Sequence, residues 1–145
     1  MSILISGSDG FLGKSLKAYL TVKGISFTTI SRSNAVTAHN DTVHADLSAS
    51  TEVQNLDLSK YLFYINLAGR TAGNQFDAVD FVGSNFLTLH NILSNRTFAP
   101  KKIIHASSQV VYKPIMSNFY SEDSPLDESG SNYAYSKIIS EQYLE

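Results

Sequence analysis

A chain of 145 residues with 43% hydrophobic side chains, eight Tyr and eight Phe among them, can bury one core and is too short for two full domains. Eleven basic against thirteen acidic residues leave a net charge of -2, which excludes a chain-wide positive field for nucleic acid or an anionic membrane surface. The chain has no cysteine, so disulfides and thiolate metal sites are excluded, and no stretch approaches the roughly 18 apolar residues of a membrane span. These features lead us to expect a soluble, cytoplasmic protein with neither nucleic acid nor membrane as partner.

In chain order, Ser2 to Ser6 is short and apolar, and is followed by Gly7-Ser8-Asp9-Gly10. Phe11, Leu12, Leu16, Tyr19 and Leu20 then recur at helical spacing, which predicts strand, tight turn and helix, closed by Gly24. Ile25 to Ser31 is rich in β-formers and leads into Arg32-Ser33-Asn34, so it predicts a second strand. Thr42 to Ala45 predicts a third strand, Ser48 to Asn55 a short helix, and the apolar run Tyr61 to Leu67 a fourth strand covered on both faces. Phe76 to Leu93 keeps helical period after Gly73-Asn74, and Pro100 ends that region. Lys101 to Ser107 predicts the fifth strand, Tyr112 to Ser131 reads as loop, and Asn132 to Glu145 as helix. Short apolar strands alternating with helices imply parallel strands with right-handed crossovers, hence a doubly wound α/β sheet.

Three glycines, Gly7, Gly10 and Gly13, sit between the first strand and the first helix, where such residues turn the chain, admit a pyrophosphate and let helix pack on strand. A purely structural turn is the other reading. About 20 residues further on, where a dinucleotide fold carries the acid that binds a ribose 2′-hydroxyl, stand Ser31-Arg32-Ser33 with no carboxylate. Arg32 there favours a 2′-phosphate, hence NADP with NAD as the alternative, unless it is simply a solvated loop arginine.

Tyr133 and Lys137 stand four apart at the start of the last predicted helix and share one face. A nearby ammonium favours the phenolate and brings a tyrosine toward useful proton transfer. Ser107 and Ser108 end the fifth strand at the carboxyl edge of the sheet, where a hydroxyl can hold a substrate oxygen or merely satisfy the turn. His39, His44, His90 and His105 are scattered without ligand spacing and read as surface or strand histidines, so no metal site is expected.

In this order the segments resemble the extended short-chain dehydrogenase/reductase family, in particular its NAD(P)-dependent epimerase/dehydratase branch acting on nucleotide-activated sugars. Gly7, Gly10 and Gly13 match its GxxGxxG, and Asp46-Leu47 the pair that reaches adenine. Leu67-Ala68-Gly69 is similar to the Leu-Ala-Ala after strand four, and Asn85 to the asparagine of the next helix. Ser107 to Tyr112 resembles SSxxVY, Glu122 to Leu126 the acidic segment with a proline, and Tyr133 and Lys137 the YxxxK pair, with Glu141 a further match. Lys113, Asn132 and Gly69 depart from the pattern without removing a proton-transfer group.

The resemblance implies a catalytic Ser108, Tyr133 and Lys137. It also implies cofactor contacts from the glycine turn with its Phe11 and Leu12, from Arg32, Asp46, Leu47, Leu67, Ala68, Gly69 and Asn85, and from Tyr133 and Lys137 themselves. Gln109 stands where the family's dehydratases place an acid, so an epimerase or a reductase is implied. Residues 1–145 would then be an NAD(P)-binding Rossmann domain, the cofactor half of a larger enzyme that lacks its substrate domain and does not turn over a nucleotide sugar by itself. Such a half would leave the last helix uncovered near Ile138, Ile139 or Leu144, and a homo-oligomer is expected to cover it. Two other readings stay open, a redox-silent dinucleotide-binding or regulatory module and an inactive structural fragment.

Overall fold

The computed structural model describes residues 2–32, 41–71, 76–114 and 119–145. The sequence readings at Ser33, Asn34, His39, Gly73 and Asn74 lie outside the described residues. Five parallel strands, β1 (Ile3–Ser6), β2 (Thr28–Ser31), β3 (Asp41–His44), β4 (Phe63–Asn66) and β5 (Lys102–His105), form one sheet in the order β3-β2-β1-β4-β5. With helical segments following β1, β3 and β4 this is the expected Rossmann-like α/β fold, and the strand order reverses between β1 and β4. Loops leaving the carboxyl ends of those two strands flank the crevice where such sheets bind ligands.

The chain divides into two compact units. The first comprises Met1–Gly69 and Leu87–Ala106 and holds the whole sheet with α1 (Phe11–Val22), α2 (Ser50–Gln54) and α4 (Thr88–Leu93). Its central strand β1 is buried at every position, as a strand covered on both faces must be, and its apolar residues follow the two-residue alternation of a sheet. Ile3 and Ile5 pack with Leu20, Phe27 and Leu16 on one side. Leu4 and Tyr64 are paired in register on the other, where the Tyr64 ring meets Phe98 edge to face at 5.5 Å. Two asparagines tie the α4 side to α2 and the loop before it: Asn91 donates to the Leu47 carbonyl at 2.9 Å and Asn95 to the carbonyl of Val53 in α2 at 2.6 Å.

The second unit comprises Arg70–Phe86 and Ser107–Glu145. It contains α3 (Ala78–Phe81), most of a π-helical segment (Val82–Leu87), a 3₁₀ turn (Gln109–Val111) and α5 (Asn132–Leu144). The predicted helix over 76–93 starts two residues later than its periodicity implied, because Asp77 and Asp80 form a capping box that fixes the first turn. Phe76 precedes the helix and meets Phe81 edge to face at 5.9 Å. Phe81 in turn meets the Tyr133 ring of α5 at 5.7 Å. Ile138 is 1% exposed, which corrects the expectation that it lacks cover; Ile139 and Leu144 are half-buried.

The predicted loop from Tyr112 to Ser131 is partly ordered by pairing. Tyr112 and Leu126 form an antiparallel bridge, Lys113 N–H donates to Pro125 O at 2.8 Å, and Asp127 N–H to Val111 O at 2.7 Å.

Candidate functional site

In the sheet-bearing unit the three glycines of the first turn differ in what holds them as glycine. Gly7 has φ +70°, and a Cβ there would stand 2.3 Å from the Leu67 carbonyl carbon and 2.4 Å from Ala68 N. A Cβ on Gly13 would stand 2.3 Å from Gly7 O and 2.6 Å from Ser8 Cα. Both are excluded by the protein's own backbone: Gly7 by the loop leaving β4, Gly13 by the close seat of α1 on the turn. Gly10 has ordinary extended dihedrals (φ −73°, ψ 177°), and its Cβ would meet only Gly7 O, at 3.4 Å. Neither conformation nor packing requires glycine at position 10.

Gly10 is also the N-cap of α1, with no side chain to cap it and no acid in the first turn. The first N–H groups of that 12-residue helix and its positive dipole end are therefore served by nothing from the cap. A bare helix start beside an unfilled space at Gly10 fits the pyrophosphate of a dinucleotide. Phe11 and Leu12, which open the helix, are 88% and 59% exposed, far more than apolar side chains of this size with a core to enter.

The strand ends beneath this turn are laced together by polar side chains. Ser6 donates to Asn66 Oδ1 at 2.6 Å and shares a hydrogen bond with Tyr64 Oη at 2.9 Å, while Asn66 Nδ2 lies 3.0 Å from His105 Nδ1. Ser6, Asn66 and His105 end β1, β4 and β5 and are neighbours in register, so the network fixes the edge from which the Gly7 and Leu67-Ala68-Gly69 loops leave. Burial pushes the Tyr64 phenol far above its ordinary range, partly offset by its bond to Ser6, so this tyrosine stays neutral. His105 thus belongs to a structural network, and His90 lies partly exposed on α4, within the segment read as helical.

At the neighbouring edge Asp46 accepts from the Ser48 hydroxyl at 2.7 Å and the Ser48 N–H at 2.9 Å, which together hold its carboxyl below the usual range. Leu47 beside it is buried. Arg32 follows β2 with a side chain 78% exposed and reaches Asp46 at 3.9 Å. So loose and exposed a pair stabilises by about 0–1 kcal/mol, and the guanidinium can turn to a better anion.

In the second unit, Ser108 caps the 3₁₀ turn, its hydroxyl accepting from Val110 N–H at 3.5 Å. Tyr133 and Lys137 lie one turn apart on α5, whose N-cap Ser131 accepts from Ala134 N–H at 3.1 Å. Lys137 is only 5% exposed. Burial lowers its pKa, and the Glu141 carboxylate one turn further works the other way, favouring the ammonium.

Asn85 lies within the π-helical segment and is fully buried. Its Oδ1 accepts from Arg70 N–H at 2.6 Å, and its Nδ2 donates to the Arg70 carbonyl at 3.3 Å and to Ser136 Oγ at 2.9 Å. It therefore clamps the segment after β4 to α5 one residue from Lys137. The Arg70 guanidinium stacks 4.0 Å over Phe76 and lies 3.7 Å from Asp80. This cation follows Leu67-Ala68-Gly69 directly, and sequence reading did not single it out.

Among the described residues no three acidic or histidine side chains converge as a metal site, and no helix is long and apolar enough to cross a membrane.

The profile of the NAD dependent epimerase/dehydratase family matches residues 3–145. No curated protein sequence matches the chain. Among solved structures, the UDP-glucose 4-epimerase of Thermus thermophilus, in complex with NAD, superposes with a TM-score of 0.86 at 21% identity, over 99% of this chain and 50% of that one. The UDP-Glc/GlcNAc 4-epimerase of Campylobacter jejuni gives 0.83 at 20%, over 99% and 47%. Uronate dehydrogenase of Agrobacterium tumefaciens gives 0.78 at 22%, over 98% and 53%. At these identities the likeness establishes the fold, and the chain spans about half the length of each of these structures.

Proposed function

The chain belongs to the NAD-dependent epimerase/dehydratase family, and on that premise we propose that it is the cofactor-binding part of an enzyme that moves hydride between a carbon of a nucleotide-activated sugar and a nicotinamide. The observation that carries this reading is Gly10, a glycine that neither its dihedrals nor its neighbours require. The space it leaves at the start of α1 is what close approach of a pyrophosphate needs.

The cofactor, when bound, supplies the redox step. This chain's residues bind, orient and move a proton. Gly7, Gly10 and Gly13, with Phe11 and Leu12, hold the pyrophosphate side, and Asp46 and Leu47 the adenine. Leu67, Ala68, Gly69 and Asn85 contribute further cofactor contacts. Arg32, tethered only loosely to Asp46, takes a 2′-phosphate, so NADP binds more tightly than NAD. Tyr133 exchanges the proton of the sugar hydroxyl, Lys137 holds the nicotinamide ribose beside it, and Ser108 orients the substrate oxygen. Gln109 cannot act as the acid of a dehydratase, which favours epimerase or reductase chemistry. Residues 1–145 are then the cofactor domain, the sugar nucleotide is held by residues outside it, and the protein works in the cytoplasm as a homo-oligomer.

The test is turnover by the full-length protein across a panel of nucleotide sugars, with net reduction or oxidation followed by nicotinamide absorbance and epimerisation, which leaves the cofactor unchanged, followed by separation of the sugar products. Turnover that Tyr133→Phe reduces at least about a hundredfold supports the reading. Cofactor binding without turnover on any sugar would favour a redox-silent module, and no binding at all a structural fragment.

A further inference from the structure

The end of β2, where a dinucleotide fold normally carries the acid that accepts a ribose 2′-hydroxyl, here has Ser31 and Arg32. A carboxylate stands there nonetheless, supplied by another part of the chain. Asp9, between Ser8 and Gly10 in the glycine turn, accepts at Oδ2 from the Ser31 hydroxyl at 3.2 Å, across 22 residues. Its Oδ1 accepts from Lys17 Nζ at 3.0 Å, and Lys17 projects from the second turn of α1. Two contacts from two elements fix the carboxylate against the last residue of β2. Its side chain is 58% exposed, so a ligand can reach it. The Lys17 hydrogen bond is the main cause that lowers its pKa, with help from Ser31 and Ser8 and against some desolvation, so it is ionised at neutral pH.

We propose that Asp9 is a second cofactor-specificity residue, whose carboxylate at the end of β2 accepts a hydrogen bond from the 2′-hydroxyl of an adenine ribose and disfavours a 2′-phosphate, in opposition to Arg32. This rests on the nucleotide reading of the glycine turn. The Arg32 side chain is more exposed than that of Asp9 and its contact with Asp46 is loose, whereas Asp9 is held by two shorter contacts, so a bound ribose meets a fixed anion and a movable cation. Such a site accepts NAD through Asp9 and NADP through Arg32, and the balance between them sets the preference. Lys17 neutralises part of the anion's field and keeps the penalty on a phosphate finite.

The test is calorimetric titration of NAD and NADP into the parent protein and into Asp9→Asn, Asp9→Glu and Arg32→Ala. Asp9→Asn removes the charge and keeps the size, and it should raise the ratio of NADP to NAD affinity about tenfold, the scale of one charge-assisted hydrogen bond lost and one repulsion relieved. Asp9→Glu restores the charge and should return the ratio toward the parent's. Because the side chain is exposed, both variants should keep the parent's unfolding midpoint. An unchanged or lowered ratio in Asp9→Asn would overturn the assignment. An unchanged ratio in Arg32→Ala alone would remove the NADP preference while leaving Asp9 in place, and failure of the parent to bind either nucleotide would overturn both.

Discussion

At the start of α1, in the sheet-bearing unit, the candidate pyrophosphate surface is made of backbone, whereas in the unit around α5 the candidate groups are side chains. The glycine turn works by what is missing: no Cβ at positions 7, 10 and 13, no cap side chain at the start of α1. The α5 unit works by what is held in place: a lysine buried against its preference, a tyrosine packed edge to face on Phe81, and an asparagine with both amide atoms engaged. The two kinds of site fail differently. Adding atoms to the first collides with the fold or fills the ligand's space, according to which glycine is changed. In the second, removing the Tyr133 hydroxyl should leave the fold intact and remove the chemistry, whereas truncating Asn85 would break its clamp on α5.

The largest effect should come from the α5 unit. Tyr133→Phe keeps the ring that meets Phe81 and removes only the hydroxyl, so full-length turnover should fall about 10²–10⁴-fold while the unfolding free energy moves by less than about 0.5 kcal/mol. Steady-state assay and denaturant titration of the same preparation check both halves. The mirror image is Gly13→Ala, which places a Cβ 2.3 Å from Gly7 O. It should cost about 3 kcal/mol of stability or more, read from denaturant unfolding, and a variant as stable as the parent would break the contrast.

Two smaller effects sharpen it. Arg32→Ala should lower the NADP to NAD affinity ratio by about one to two decades without changing stability, since its ion pair with Asp46 is exposed and loose. Lys137→Met should stabilise the fold by about 1 kcal/mol at neutral pH while abolishing turnover. The sign follows from burial. A lysine whose folded pKa lies below its ordinary 10.5 opposes folding wherever the unfolded chain still holds the proton. The penalty is complete below the folded value and fades as pH rises from there toward 10.5, so the gap between variant and parent should close over that interval.

The sheet was legible because its strands are short apolar runs such as Ile3-Leu4-Ile5 and Tyr64-Ile65, and the turn because its glycines fall between strand and helix. The π-helical segment over 82–87 was not. One turn of it shifts side chains too little to disturb the apolar period on either side, and what marks it is a buried asparagine with partners 15 and 51 residues away. The true start of α3 was readable in Asp77-x-x-Asp80, a capping box with acids in place of the commoner Ser or Thr and Glu, but Phe76 carries the helical period past it. Asp9 was hidden for a different reason. Distance along the chain points to β2 as the place of a ribose selector, while the carboxylate that stands there belongs to the glycine turn and arrives only through the parallel pairing of β1 with β2. The network of Ser6, Asn66 and His105 likewise exists only once the strands are in register.

The measurement that bears most directly on a backbone-built ligand site is Gly10→Val, assayed for folding and for NADP and NAD binding on one preparation. Its Cβ meets no protein atom closer than the 3.4 Å contact to Gly7 O, and its extended dihedrals suit a β-branched residue, so the variant should unfold within about 1 kcal/mol of the parent. Binding of both nucleotides should be lost in calorimetry. A folded Gly10→Val protein that binds them with the parent's affinity would show that the space at the start of α1 is not where the pyrophosphate sits.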